Sequence, residues 1–240
     1  MLCSGRILST FQDRELDVWW YVTPQLTGIT KLTVIGKGAC NAIPDFTPET
    51  VLLDIQFSQK TLDATLFPGV SEEVKAHSGF VDAQAMSAAA KLAAVQLAMT
   101  SSGTNAITLT GHSLGGAISL LDSLYLSLNL PSATIKTVTH GMPRVGNNEF
   151  ADLIDSKVPD LSRVTNMRDL VPVLPGRRFG YAHPNGEKHI VSAGSWVACV
   201  GHDNADKSCA TGAVPTIFHG RSEDHIGPYE GIYIGNEYCA

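Results

Sequence analysis

The chain has 240 residues, 44% hydrophobic and 17% charged, with a formal net charge of −6. That length and balance suit one large α/β domain spanning residues 1–240 and exclude a disordered or fibrous chain. The 17 basic residues are spread thinly, which excludes a nucleic-acid partner, and the apolar runs break before the roughly 18 residues that a membrane span needs. The opening "MLCSGRILSTFQDRELD" carries one arginine and no apolar run ahead of Asp13. It is not expected to act as an export signal, and on its own it predicts a cytoplasmic chain.

Further along, Ala85, Met86, Ala89, Ala90, Ala93 and Leu97 recur at helical spacing within 82–102, and Gly103 follows as an exit. "NAITLTG" then alternates Ile107 and Leu109 with threonines, as a short strand does. From Leu114 to Leu128 the apolar period is helical again, until Pro131 stops it. "ATIKTVTHG" is predicted as a strand, "GNNEFADLIDSK" as a short helix and "LSRVTNM" as another strand. Such alternation implies an open, largely parallel sheet covered on both faces. "RRFGYAHP" and "EKHIVSAG" flank Asn185-Gly186 and are predicted to form a β-hairpin, with most of the remaining final third as loop.

Five cysteines are present. Cys199 and Cys209 bracket a polar loop that a disulfide can close, and Cys40 with Cys239 can join the ends of the domain; the alternative is five unrelated thiols. None has the C-x-x-C spacing of a structural zinc site, and no metal is expected.

Between the strand and the long helix stands "TGHSLGG". A serine hydroxyl is a weak nucleophile that must be presented free of its own backbone. A sharp strand-to-helix turn does this if glycines remove the Cβ atoms that would collide with neighbouring backbone. Ser113 between Gly111 and Gly115 fits that turn, and the Leu114 N–H at the start of the helix is positioned to donate to an oxyanion. The plain alternative is a serine that only caps the helix.

In such a turn-centred hydrolase an acid and then a histidine follow the nucleophile along the chain. Of eight histidines, His77 and His112 precede Ser113, and His140 falls in a strand soon after it. His183 and His189 flank the predicted hairpin, where half-exposed strand residues are expected. His202 lies in the possible disulfide loop, and His219 follows an apolar run. His225, in "SEDHIGPYEG", is left on a late loop. For the acid, Asp169 in "VTNMRDLVPVLP" comes just after a strand and before two stiffening prolines. The alternative for Asp169 is a surface pair with Arg168 or Arg163.

The segments "TLTGHSLGGAISLL", "THGMPRVGNNEFAD", "VTNMRDLVPVLP" and "EDHIGPYEG", with "TLFPGVSEEVKAHSGFVDAQ" ahead of them, resemble in order the signature segments of the fungal class 3 lipases, in a basidiomycete branch. The likeness covers about residues 50–235 and leaves about 1–50 poorly matched. It implies an α/β-hydrolase fold, hydrolysis of acylglycerols at a lipid–water interface, and a triad of Ser113, Asp169 and His225. It further implies a secreted monomer that needs no cofactor. A lid is expected near residues 44–57, where "VLLDIQF" would shield an acyl groove, unless that run is an ordinary buried strand.

The family's second oxyanion donor follows a glycine after a strand ahead of the lid. "LTVIGKGAC" offers Gly38 and the backbone N–H of Ala39 for that place. On a rival alignment "GACNAIPDFTPE" precedes the missing segment, and the oxyanion strand is lost between Glu49 and "VLLDIQF". Together with the missing export signal, this predicts an N-terminal part that is truncated, mis-spliced or degenerate. Three functions stay open: an acylglycerol hydrolase, an impaired lipase-fold protein that binds lipid or a partner, and another esterase such as a feruloyl type.

Overall fold

The computed structural model describes residues 9–13, 18–24, 32–37 and 57–234. Ten strands are assigned among them: β1 (Ser9–Asp13), β2 (Val18–Pro24), β3 (Leu32–Lys37), β4 (Gln59–Thr61), β5 (Lys75–His77), β6 (Ala106–His112), β7 (Thr134–His140), β8 (Asp160–Asn166), β9 (Glu187–Ser192) and β10 (Ser195–Cys199). The helices are α1 (Ser78–Ser102), α2 (Leu114–Asn129), α3 (Asn148–Lys157) and two single turns, α4 (Ala210–Ala213) and α5 (Glu223–Ile226). Eight strands make one sheet in the order β1-β2-β3-β6-β7-β8-β9-β10, and β4 pairs with β5 apart from it. From β3 to β9 the pairing is parallel, with antiparallel strands at both edges.

The expected strand–helix alternation is present from β5 to β8. On β6, Ile107 and Leu109 are fully buried while the intervening threonines are half-buried. Helix α2 carries Ala117, Ile118, Leu120, Leu121 and Leu124 into the same core. Between α1 and α2 lies a buried polar contact: Lys91 Nζ meets Asp122 Oδ2 at 2.6 Å, and Gln84 Nε2 donates to Asp122 Oδ1 at 3.1 Å. Helix α1 starts at Ser78 rather than 82 because the ring Nδ1 of His77 accepts from the Phe80 N–H, a cap drawn from a residue type outside the usual capping set. Its other end is as expected, with Gly103 left-handed and its N–H on the Met99 carbonyl.

Two expectations are corrected. The hairpin does not turn at Asn185-Gly186. Gly186 has φ +97°, a Cβ on it would lie 2.3 Å from the Leu161 carbonyl oxygen, and its own carbonyl accepts from the Arg163 N–H at 2.9 Å. It feeds β9 in beside β8, and the hairpin is β9–β10, turning at Ala193-Gly194 one strand later. His183 and His189 are not half-exposed but 3% and 2% exposed. A strand does lie beside the nucleophile strand: β3 runs parallel to β6, with Gly36 opposite Gly111.

Cys199 and Cys209 form a disulfide with Cα atoms 5.9 Å apart. Cys40 and Cys239 lie outside the described residues. Among the described residues, no helix is long and apolar enough to cross a membrane.

Candidate active site

Strand β6 ends at His112, and helix α2 starts at Leu114, so Ser113 alone makes the turn. Its φ of +55° and ψ of −127° are strained for a residue with a side chain. The strain persists because the surrounding contacts over-determine it. The Ser113 N–H donates to the His140 carbonyl at 2.9 Å, and its own carbonyl accepts from Gly116 N–H at 2.9 Å and Ala117 N–H at 3.2 Å. Gly111 is obligatory here, since a Cβ on it would lie 2.1 Å from the Gly115 carbonyl oxygen. Gly116 is tight as well, with an added Cβ at 3.1 Å from Met142 Cβ.

Rather than capping α2, the Ser113 hydroxyl lies 2.8 Å from His225 Nε2. The other ring nitrogen, Nδ1, is 2.9 Å from Asp169 Oδ2. A carboxylate only accepts, so Nδ1 carries the proton and Nε2 is left to accept from the serine. Asp169 does not pair with Arg168 or Arg163. It is buried in the turn after β8, and its second oxygen accepts from the Val171 N–H at 2.9 Å. The structure thus brings Ser113, Asp169 and His225 into one hydrogen-bonded chain at the C-terminal ends of parallel strands. Serine as nucleophile, imidazole as base and carboxylate as orienter is chemistry that this geometry permits.

Leu114 opens α2, and its N–H belongs to the first turn, whose amides have no partner in the helix ladder. Ala39 lies outside the described residues, as does the lid region apart from Phe57, whose ring stacks on Phe179 with centroids 4.4 Å apart.

Several residues that complete the site were not singled out in the sequence. His225 sits on the single turn α5, which is held from outside: Asn166 Nδ2 donates to the Asp224 carbonyl at 2.9 Å, and the Arg168 N–H donates to Asp224 Oδ2 at 3.0 Å. Tyr229 Oη lies 3.1 Å from the His225 carbonyl. Burial, then the charge of Asp169, pushes this phenol well above its ordinary range, so it stays protonated as a donor. Gly141, left-handed at φ +55°, leaves room for the whole group: a Cβ there would lie 2.7 Å from Tyr229 Oη and 2.9 Å from both Asp169 Oδ2 and His225 Cε1. The usable signal was the glycine directly after a strand in "THGMPR". His112, set aside because it precedes the serine, touches His225 from the other side, with ring centroids 4.5 Å apart.

Comparison with known proteins bears on the family and the fold. The sequence description of the lipases (class 3) matches residues 46–179. A secreted mono- and diacylglycerol lipase of Malassezia globosa is 39% identical over 132 residues, which are 54% of this chain and 42% of that protein. A second one from the same organism is 32% identical over 185 residues, 76% of this chain and 59% of the relative. The chain thus spans about half the length of the curated relatives it matches. Among solved structures, lipase II from Rhizopus niveus superposes with a TM-score of 0.79 at 28% identity, over 97% of this chain and 82% of that one. A serine turn, a late acid and a later histidine on a largely parallel sheet, with a family match over more than half the chain, lead to one assignment: the chain belongs to the class 3 lipase family and has the α/β-hydrolase fold.

Proposed function

We propose that the chain is a serine carboxylic-ester hydrolase that cleaves acylglycerols through an acyl-enzyme on Ser113. The observation that carries this is the continuous hydrogen-bonded chain Ser113–His225–Asp169, mounted on a strained turn. Ser113 Oγ attacks the ester carbonyl as its proton passes to His225 Nε2. Asp169 holds the imidazole in the required tautomer and stabilises the imidazolium, which then protonates the leaving alcohol. Water follows the same route to release the fatty acid, and no metal or organic cofactor enters any step.

The oxyanion is held by the Leu114 N–H at the positive end of α2 and, we propose, by the backbone N–H of Ala39 two residues beyond β3. The pairing of Gly36 with Gly111 supports that position, because it brings the end of β3 level with the turn at Ser113. Acylglycerols are the preferred substrate class because relatives named as mono- and diacylglycerol lipases come from both Malassezia and Fusarium. The relatives named as secreted and the closed Cys199–Cys209 disulfide support an extracellular site of action at a lipid–water interface.

The test is labelling with a fluorophosphonate and turnover of a short-chain aryl ester and a diacylglycerol emulsion. The reading requires one label, on Ser113, and its loss together with turnover in Ser113→Ala. Labelling elsewhere, or turnover that survives that substitution, overturns it. Hydrolysis of a feruloyl ester in preference to the emulsion would overturn the substrate class alone.

A further inference from the structure

His112 has a structural role on β6 and a further contact that neither the strand nor the triad accounts for. Its Nε2 lies 2.8 Å from the backbone carbonyl oxygen of His225. A carbonyl only accepts, so that nitrogen carries the proton and donates. The ring lies alongside the His225 ring at 4.5 Å, with a tilt of 33°, and meets the Tyr229 ring edge-on at 6.0 Å. One residue therefore supports both the backbone and the imidazole of the base.

The support matters because of where His225 is mounted. Its helix, α5, is one turn of four residues followed by Gly227, which has φ +122°. Such a turn has little intrinsic stability, and small displacements of a reacting group are costly. The other donor near the same carbonyl, Tyr229 Oη, has a single proton. The Asp169 carboxylate also draws on it, since a hydrogen bond to that side chain is among the causes of the raised phenol pKa. Among the described residues, the His112 N–H meets no such rival. Burial, followed by the nearby His225 and His140 rings, pushes His112 down to about 3. Held neutral in this way, it adds no positive charge beside the imidazolium that forms.

We propose that His112 is a positioning residue for the reaction: its Nε2–H holds the His225 main chain, and so keeps the base's Nε2 in line with Ser113. The inference rests on the reading of Ser113, His225 and Asp169 as a triad.

The experiment compares wild type, His112→Phe, His112→Gln and Ser113→Ala. Phenylalanine keeps a planar ring against His225 but removes the donor. Glutamine gives up the ring but places an amide N–H close to where Nε2 stood. The expected result for His112→Phe is a fall in kcat of roughly ten- to a hundredfold, with KM on a soluble aryl ester unchanged. Fluorophosphonate labelling should slow in parallel, and His112→Gln should recover most of the rate. A phenylalanine variant within twofold of wild-type kcat overturns the proposal, as does a glutamine variant no faster than the phenylalanine one. If His112→Phe fails to fold, His112→Gln decides: near-wild-type kcat supports the donor role, and a fall as large as that predicted for the phenylalanine variant overturns it. Ser113→Ala separates the two levels. Turnover that survives it removes the triad itself, whereas its loss beside an unaffected His112→Phe removes only the role of His112.

Discussion

Among the described residues, two buried histidine–aspartate constellations differ in what the histidine ring faces. His225 points one ring nitrogen at Asp169 and the other at a serine hydroxyl. His183 lies against Asp203 differently: its backbone N–H donates to Asp203 Oδ2 at 2.9 Å, and its Nε2 donates to the Pro172 carbonyl at 2.8 Å. Arg144 completes that cluster, reaching Asp203 Oδ1 at 2.6 Å and the carbonyls of Val173 and Pro175. Burial, reinforced by the neighbouring Arg163, holds His183 well below its ordinary range. Burial alone would raise the Asp203 carboxyl, but His183 and Arg144 with their hydrogen bonds hold it below its usual value. The same residue types are thus arranged in two different ways. The difference lies in the ring: His225 sets both nitrogens on side chains, a carboxylate and a serine hydroxyl, whereas the His183 ring meets a main-chain carbonyl and only its backbone N–H reaches the aspartate.

Replacing each carboxylate by its amide should separate the two. Asp169→Asn leaves the shape intact but no longer selects the imidazole tautomer; kcat should fall by about 10⁴-fold, with little change in the melting temperature. Asp203→Asn should do the reverse. It leaves the buried Arg144 without its anion, an effect of about 3–5 kcal/mol on folding, while kcat per folded molecule stays near wild type. Paired activity and urea-denaturation measurements check both, and an Asp203→Asn protein that is stable but inactive would erase the distinction.

Acid gives a shared effect. A histidine depressed in the fold stays neutral while the unfolded chain takes up a proton, so unfolding is favoured as pH falls. For His112 that window runs from its ordinary 6.5 down to about 3, and His183 acts in the same direction. Stability should be flat above about pH 7 and should decline on acidification below 6.5. Denaturation midpoints between pH 8 and 4 test this. A midpoint that rises on acidification over that span would contradict the buried-neutral assignment of both rings.

What could be read from the sequence was what local sterics dictate. The glycine before Ser113 is needed because of a carbonyl four residues along the chain, so pattern and cause lie in the same short stretch. Asp169 and His225 were expected from their order along the chain, and the structure brings both beside Ser113. The His183 cluster was hidden because its members come together from residues 144, 183, 203 and 211, with no short-range trace. Asn185-Gly186 misled for the opposite reason: a strong local turn signal was overruled by the Leu161 carbonyl that Gly186 packs against. The runs "VWWYVTP" and "LTVIGK" are rich in β-branched and aromatic residues, as strands are. They went unassigned because an antiparallel pair ahead of the first helix interrupts the alternation that revealed the rest.

The contact between Lys91 and Asp122 bears on how the elbow keeps its aim. Sliding α1 by one residue along α2 would swing Lys91 about 100° around its axis and strand both charges in a site where they are 1% and 3% exposed. Leucine and alanine faces tolerate several neighbouring alignments, because one methyl group substitutes for another. A buried cation with a single anion does not, since leaving either one unpaired costs several kcal/mol. The helix that begins at the nucleophile is therefore indexed against its neighbour like a gear with one marked tooth. A designer who repacks this core with hydrophobic residues alone would gain freedom of choice there and lose the polar mark that aligns these two helices.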